Sequence, residues 1–372
     1  MLVGVPKETK DNEFRVSVIP ATVEELVRRG HQALVETGAG AGAGLADAAY
    51  AAAGAEIVAS ASEVFERAEL IVKVKEPLQA ERKRLKRGQV LFTYLHLAAD
   101  SMQTEELMAS GVTAIAYETV TNPQGFLPLL MPMSEVAGRM APQVGAYCLE
   151  KVTGGRGVLL GGVPGVPPGD VLILGSGVVG TNAALIAIGM GADVIMAGHN
   201  LDQLRQASAR FGPRLRTVFS TRQSVETLCR RADLVIGAVL VPGAAAPKLI
   251  SAETVKAMKQ GAVIVDVSID QGGTSETSRP TTHSNPTYIV AGVVHYCVTN
   301  MPGAVARTST FALSNVTAPF VLAIADKGFA RALMEDPHLR HGLNVHEGKI
   351  THPAVAEALG HPYLPASEAL KR

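Results

Sequence analysis

The stretch DVLILGSGVVGTNAALIAIGMG, residues 170–191, decides the fold. Val171 to Leu174 read as a short buried strand. Gly175-Ser176-Gly177-Val178-Val179-Gly180 follows at once and opens into an apolar helix. In that frame GxGxxG has a mechanism: one glycine makes the tight turn, one lets the backbone approach a pyrophosphate, and one lets helix and strand pack closely. The helix N-terminus then favours the anion. Glycine-rich turns produce the same pattern elsewhere, so its weight here comes from the strand before it and the helix after it. No charged residue lies between Asp170 and Asp193, a run long enough to imitate a membrane span. Five glycines with Ser176, Thr181 and Asn182 break it, and strand-turn-helix is the reading.

Outward from this unit the pattern repeats. Downstream come DVIMAG (193–198), a helix over 201–211, RTVFS (216–220), a helix over 221–231, ADLVIGAV (232–239), a helix over 251–259, AVIVDVSID (262–270) and YIVAGVVHY (288–296). Upstream stand LVGVP (2–6), a helix over 22–29, HQALVET (31–37), a Gly/Ala stretch at 38–44 read as a mobile loop, and helical LADAAYAAAG (45–54). LIVKVK (70–75), VLFTYLHL (90–97) and VTAIAYE (112–118) follow. Strand followed by helix, repeated, is the signature of a parallel sheet. A long helix over 134–151 carries the chain into a second domain, and a closing helical region over 309–334 returns it to the first. The fold class is α/β: two Rossmann-like, doubly wound parallel-sheet domains, with the coenzyme domain over 134–306 and a discontinuous substrate domain over 1–133 and 307–372.

Two domains suit 372 residues with 47% hydrophobic content. Lys plus Arg equals Asp plus Glu at 34 each, so no whole-molecule field draws nucleic acid or an anionic membrane. A small metabolite is the expected partner. Cys148, Cys229 and Cys297 are widely spaced, which speaks against a disulfide framework or a zinc-thiolate site and suits a reducing, cytoplasmic setting. The opening MLVGVPKETKDNEFR places charge where an export signal needs apolar residues.

The dinucleotide fingerprint asks for an acid about 20 residues on, at the end of the second strand, to bind the adenosine ribose. VIMAGHN puts Gly198 there. Asp202 lies beyond, in the first turn of a helix, where an acid has its own reason to be. Other candidates carry two readings each. Period two puts Asp266, Ser268 and Asp270 on one strand face, with Asp270 at the ligand-binding end or in a turn before Gln271-Gly272-Gly273. His96 closes VLFTYLHL, as a core histidine or as an acid-base, since an imidazole titrates near neutrality. Lys73 and Lys75 share a strand face, as solvated edge lysines or as anion binders. Arg15 is a surface arginine or a bidentate grip on a carboxylate.

Taken together, GVPKETKDNEFRVSVIPATVEELVRRGH, VKVKEP, LFTYLHLA, LLMPMSEVAGRMAPQVGA, LLGGVPGVPPGDVLILGSGVVGTNAA, SIDQGG with ETSRPTTHS, and GVVHYCVTNMPGAVARTST resemble the alanine dehydrogenase family over essentially the whole chain. The resemblance implies a homohexamer that interconverts L-alanine with pyruvate and ammonia using NAD. It implies Arg15 and Lys75 as substrate binders and His96 with Asp270 as catalytic residues. It implies a dinucleotide lined by Ser134, Gly175, Gly177, Val178, Val179, Gly180, Gly198, Gln203, Ser220, Val239, Leu240, Val267, Ser268, Ile269, Asp270, Arg279, Val298, Thr299, Asn300 and Met301. The family commonly has Asp in place of Gly198 and a basic residue in place of Gln203, so NADP joins NAD as an expected coenzyme. Some members are described with a divalent metal near a Glu and a His. Glu118 matches the first, but Lys327 stands where the His belongs, and no metal is expected. Two rival readings share the architecture. The soluble part of a proton-translocating transhydrogenase would carry a different loop at RPTTHSNP and attached membrane segments. A dinucleotide-sensing regulator would not need Arg15, Lys75, His96 and Asp270 together.

Overall fold

The structure is a computed structural model that describes residues 1–239 and 246–371. It divides into two compact units, Met1–Met133 with Gly303–Arg372, and Ser134–Pro302. The first unit opens with β1 (Leu2–Val5), β2 (Gln32–Glu36), β3 (Glu56–Val58), β4 (Leu70–Val72), β5 (Val90–Thr93) and β6 (Thr113–Ala116). The second holds β7 (Asp170–Leu174), β8 (Asp193–Gly198), β9 (Leu215–Phe219), β10 (Leu234–Gly237), β11 (Val263–Asp266), β12 (Thr287–Val290) and β13 (Val293–Tyr296). The strands β14 (Leu343–His346) and β15 (Lys349–Ile350) complete the first unit.

The first sheet has the order β15-β14-β6-β5-β4-β1-β2-β3. The strands β1 to β6 pair in parallel, and β14 and β15 close one edge antiparallel. LIV, VLFT and TAIA in β4, β5 and β6 are buried along their whole length, as strands covered by helices on both faces must be. Gly4 in β1 lets the helix Ala61–Arg67 settle on the sheet, because a Cβ there would stand 2.6 Å from that of Ala68. Leu91, Leu107 and Ala114 share a core with Val345 and Val355, which joins the two sequence segments of the unit. By length and composition the helix ending at Lys327 is apolar enough to cross a membrane. Here its residues Leu313, Thr317, Val321 and Ile324 are buried, and Thr310 Oγ1 accepts the Val16 N–H at 3.2 Å.

Two expectations for this unit change. The Gly/Ala stretch is built in, not loose: it contains the 3-10 turn Ala41–Ala43, and Arg307 Nη1 donates to the Ala43 carbonyl at 3.0 Å. Its glycines serve close approach, since a Cβ at Gly42 would stand 2.6 Å from the Phe14 carbonyl oxygen. The closing helix is two helices, Ala306–Lys327 and Phe329–Glu335, separated by Gly328 at φ +74°.

The second sheet has the order β12-β13-β11-β10-β7-β8-β9, parallel except for the β12–β13 hairpin. YIVAGVVHY is therefore two strands instead of one. Ala291 at φ +50° and Gly292 at φ +80° make the turn, a geometry that needs positive φ at both central residues. AVIVDVSID likewise stops as a strand at Asp266, and Val267–Gln271 winds into a 3-10 turn. Asp266, Ser268 and Asp270 consequently do not share a strand face. The long helix starts earlier than expected, at Met131, and ends at Cys148; Pro132 is tolerated in its first turn.

Setting the antiparallel edge strands β14, β15 and β12 aside, both sheets follow the doubly wound order 3-2-1-4-5-6, and the order reverses between β1 and β4 and between β7 and β10. Ligands of open α/β sheets bind outside the carboxyl ends of the strands at such a reversal.

Candidate active site

At its reversal the first unit places charge. Lys73 follows β4 and is 1% exposed, with Nζ 3.1 Å from Glu8 Oε2 and 2.9 Å from Glu81 Oε1. The edge-lysine reading fails for it, because β4 ends at Val72 and the side chain turns inward. Burial opposes the ammonium charge, but Glu8 and Glu81 outweigh it and hold the Lys73 pKa above the ordinary lysine value.

Arg15 is 2% exposed, so the surface reading fails for it as well. Its Nε donates to Glu13 Oε1 at 2.7 Å and its Nη2 to Glu13 Oε2 at 2.6 Å, a two-pronged clamp, while Nη1 lies 3.1 Å from Met133 Sδ. Lys75 is half-buried. Burial first, and the Arg15 charge second, hold its amine below the ordinary lysine pKa, so these two cations belong to one electrostatic cluster.

His96 lies beyond the end of β5, in a left-handed turn at φ 53°, ψ 39°. Glu118 ties that turn by accepting the backbone N–H of His96 at 2.6 Å and of Leu95 at 3.2 Å. The imidazole stacks on Tyr94, centroids 6.0 Å apart, and is 52% exposed. The Tyr94 hydroxyl donates to the Leu129 carbonyl at 2.6 Å, and burial pushes its phenol pKa well up. Glu118 is thus engaged by backbone amides, and Lys327 pairs with Glu335 at 2.7 Å. Among the described residues no group of three His, Cys, Asp or Glu side chains has metal-binding geometry.

At its own reversal the second unit places glycine. A Cβ at Gly175, which sits at φ +115°, would collide with the Ala238 carbonyl oxygen, and one at Gly180 with that of Gly175. At Gly177, the N-cap of the helix Val178–Gly189, a Cβ would meet nothing within 4 Å. Two glycines are therefore required by packing, and the third faces open space before a helix N-terminus. A pyrophosphate fits that cradle.

The surrounding residues sort by position. Gly198 ends β8, and the Ser220 N–H donates to its carbonyl at 3.0 Å. Ser176 Oγ donates to Gln203 Oε1 at 2.9 Å. Ser268 Oγ donates to the Val239 carbonyl at 2.6 Å, joining the β11 turn to the end of β10. Asp270 is exposed in that turn, with Val267 half-buried and Ile269 buried. Ser134 is half-buried in the first turn of its helix. Val298 and Met301 are buried, so their side chains serve packing, and half-buried Thr299 and Asn300 lie between them. The Arg279 guanidinium lies 4.1 Å over the Tyr288 ring. Leu240 lies outside the described residues.

Sequence reasoning missed the carboxylates Glu8 and Glu13 that organise these groups, and it placed Asp266 on a strand face instead of in the interior where it holds a loop. Glu8 and Glu13 sit in KETKDNEFR, a charge run that reads as solvated surface. Asp266, fully buried, accepts the Thr274 N–H at 2.7 Å and the Ser278 hydroxyl at 2.5 Å, closing the loop that carries Asp270.

Two doubly wound α/β units, one with a complete glycine cradle and one with buried charge at the reversal of its sheet, define the class: a dinucleotide-binding α/β protein. Residues 4–137 match the family model "Alanine dehydrogenase/PNT, N-terminal domain" and residues 141–353 the corresponding C-terminal domain model. The chain is 56% identical over 370 residues to alanine dehydrogenase of Halomonas elongata, covering 100% of both chains. It is 55% identical over 372 residues to that of Bacillus subtilis, covering 100% of this chain and 98% of the other. A solved L-alanine dehydrogenase superposes with a TM-score of 0.94 at 53% identity, over 97% of this chain and 99% of that one. A transhydrogenase from Sinorhizobium meliloti, 24% identical, shares the fold with a TM-score of 0.82 over 95% of this chain and 100% of its own. The chain belongs to the alanine dehydrogenase/PNT family.

Proposed function

We propose that the chain is an L-alanine dehydrogenase, reversibly deaminating L-alanine to pyruvate and ammonia with hydride transfer to a nicotinamide dinucleotide. The observation that carries the reading is a buried Arg15 guanidinium whose charge acts on the half-buried Lys75 amine, in a member of this family. Arg15 and Lys75 take the substrate carboxylate and 2-oxo oxygen, and the positive field at that oxygen polarises the carbonyl. His96 moves protons as ammonia and water exchange at the 2-carbon, and Asp270 is the second catalytic residue. When bound, the nicotinamide supplies or accepts the hydride. Gly175 to Gly180, Ser134, Ser220, Val239, Leu240, the 267–270 turn, Arg279 and Val298 to Met301 hold the dinucleotide. Absorbance at the nicotinamide band on mixing protein, pyruvate, ammonia and reduced coenzyme tests the reading, and no change would remove it. The protein acts as a cytoplasmic homohexamer, which sedimentation of the purified chain checks.

Lys75 makes pyruvate binding pH-dependent. Its amine is charged below its pKa and neutral above it. Because burial and Arg15 lower that pKa, pyruvate KM is expected to start rising with pH earlier than an ordinary lysine allows. In the double variant Arg15→Gln with Glu13→Gln, which removes the buried pair together and strands no carboxylate, the lowering by Arg15 outweighs the lost raising by Glu13, and the midpoint is expected to move up. A midpoint at the ordinary lysine value in the native protein would contradict the assignment.

The coenzyme reading is NAD with NADP also accepted. Gly198 supplies neither a carboxylate for the ribose hydroxyls nor one to repel a 2′-phosphate. His199 is exposed next to it, edge-on to Phe219 with centroids 5.7 Å apart, and is the donor nearest in sequence. Asn200 Oδ1 is committed to capping the next helix, and Arg205 pairs with Asp202 at 2.7 Å. A Cβ at Gly198 would stand 2.7 Å from Ser176 Oγ, the atom bonded to Gln203. Restoring the acid thus requires Ser176 to yield. Gly198→Asp with Ser176→Ala is expected to shift the NADH/NADPH ratio of kcat/KM toward NADH by about 10-fold or more, the value of a charge-assisted hydrogen bond. Gly198→Asp alone is expected to shift it less. Steady-state kinetics with both coenzymes decide, and an unchanged ratio in the double variant would remove the ribose-end argument.

A further inference from the structure

The two reversals differ in what fills them. In the second unit Gly177 leaves space, whereas in the first Glu8, Lys73 and Glu81 fill the corresponding place with buried charge. We propose that Glu8, braced by Lys73 and Glu81, is a positioning residue that fixes the root of the Lys75 side chain. This rests on the reading of Lys75 as a substrate-binding cation.

The geometry is specific. Glu8 Oε1 accepts the N–H of Val74 at 2.6 Å and of Lys75 at 3.3 Å, and Glu8 Oε2 meets Lys73 Nζ at 3.1 Å. Lys73 Nζ reaches on to Glu81 Oε1 at 2.9 Å, while Glu81 Oε2 accepts the Leu78 N–H at 2.7 Å. On the other side of Lys75, its carbonyl accepts the Thr93 hydroxyl at 2.9 Å. Both backbone polar groups of Lys75 are thus taken by side chains, three residues beyond the end of β4. A lysine stem has much rotamer freedom, and only its root can be fixed without touching the amine.

Stability alone is a poor explanation for this arrangement. Replacing a buried ion cluster by apolar side chains of similar volume is often neutral or stabilising, so three buried charges are weak as a stabilising device. Their use here is directional. One carboxylate spans two consecutive amides and an ammonium, which only a side chain of glutamate length does from position 8.

The test is Glu8→Asp and Glu8→Gln, each assayed for pyruvate and coenzyme KM in the reductive direction. Aspartate is one methylene short and cannot span amides and ammonium together; pyruvate KM is expected to rise about 10-fold or more, with coenzyme KM unchanged. Glutamine keeps an oxygen for the amides but turns a donor toward Lys73, and a rise of about threefold is expected. A native pyruvate KM in either folded variant, or an equal rise for the coenzyme, overturns the proposal. Labelling of Lys75 by an amine reagent, read by peptide mass, is expected to change in both variants, whatever the substrate proves to be. A native protein inactive with pyruvate removes the functional reading, whereas unchanged Lys75 labelling removes the positioning role.

Discussion

Replacing His96 by alanine is expected to lower turnover with L-alanine by about 100- to 10,000-fold, the range of a general acid-base group. Asp270→Asn is expected to fall in the same range. The two positions differ in how the fold supports them. His96 is held in a left-handed turn whose amides Glu118 accepts, and its ring projects from that turn with 52% exposure. Removing the imidazole therefore deletes chemistry without opening the core. Asp270 sits in a turn anchored by Asp266 and by the Ser268–Val239 hydrogen bond, and Asn preserves its size. Turnover is measured beside thermal unfolding. A folded His96→Ala protein with near-native turnover would strike the residue from the mechanism, and the same outcome in Asp270→Asn would strike that one.

The second large effect is on substrate affinity. Lys75→Ala is expected to raise pyruvate KM by about 10- to 100-fold, the loss of a hydrogen bond to a charged group, while coenzyme KM stays within about twofold. Arg15 needs a gentler substitution. Alanine there would strand the buried Glu13 carboxylate, a loss of about 3–5 kcal/mol that confuses folding with binding. Arg15→Lys keeps the charge but has no fork, and it is expected to raise pyruvate KM by a similar factor, because one ammonium cannot serve Glu13 and a substrate carboxylate in two-pronged fashion. An equal rise for the coenzyme in either variant would mark the residue as structural.

What the sequence displayed of this fold was whatever depends on neighbours along the chain. Strand, GxGxxG and helix are adjacent, and each glycine has a local duty, so the coenzyme loop was legible at once. The β12–β13 hairpin was not, because Ala291-Gly292 is a weaker turn signal than Asn-Gly, and the apolar run reads as one strand. The 3-10 turn after Asp266 was hidden for a similar reason: what ends the strand is a buried carboxylate collecting Thr274 and Ser278 from further along.

The first unit hid more. Glu8 and Lys73 are 65 residues apart, and nothing in KETKDNEFR or VKVKEP says that they meet in the interior. Charged residues are rarely fully buried unless paired, so without the pairing the surface reading was the natural one for Lys73 and Arg15. At the adenosine end the missing acid was visible, but the closeness of Ser176 to Gly198 was not, since it joins two neighbouring parallel strands.

Oxidation of L-alanine by this chain is proposed to use Arg15 and Lys75 of the first unit and a dinucleotide held by the second. Its most direct test is one assay run on two proteins, native and Lys75→Ala: L-alanine with oxidised coenzyme, following the nicotinamide band and assaying pyruvate and ammonia at the end. The native protein is expected to form reduced coenzyme, pyruvate and ammonia in equal amounts, and Lys75→Ala to do so far more slowly while binding coenzyme normally. Coenzyme binding by both proteins with no pyruvate from either would contradict it.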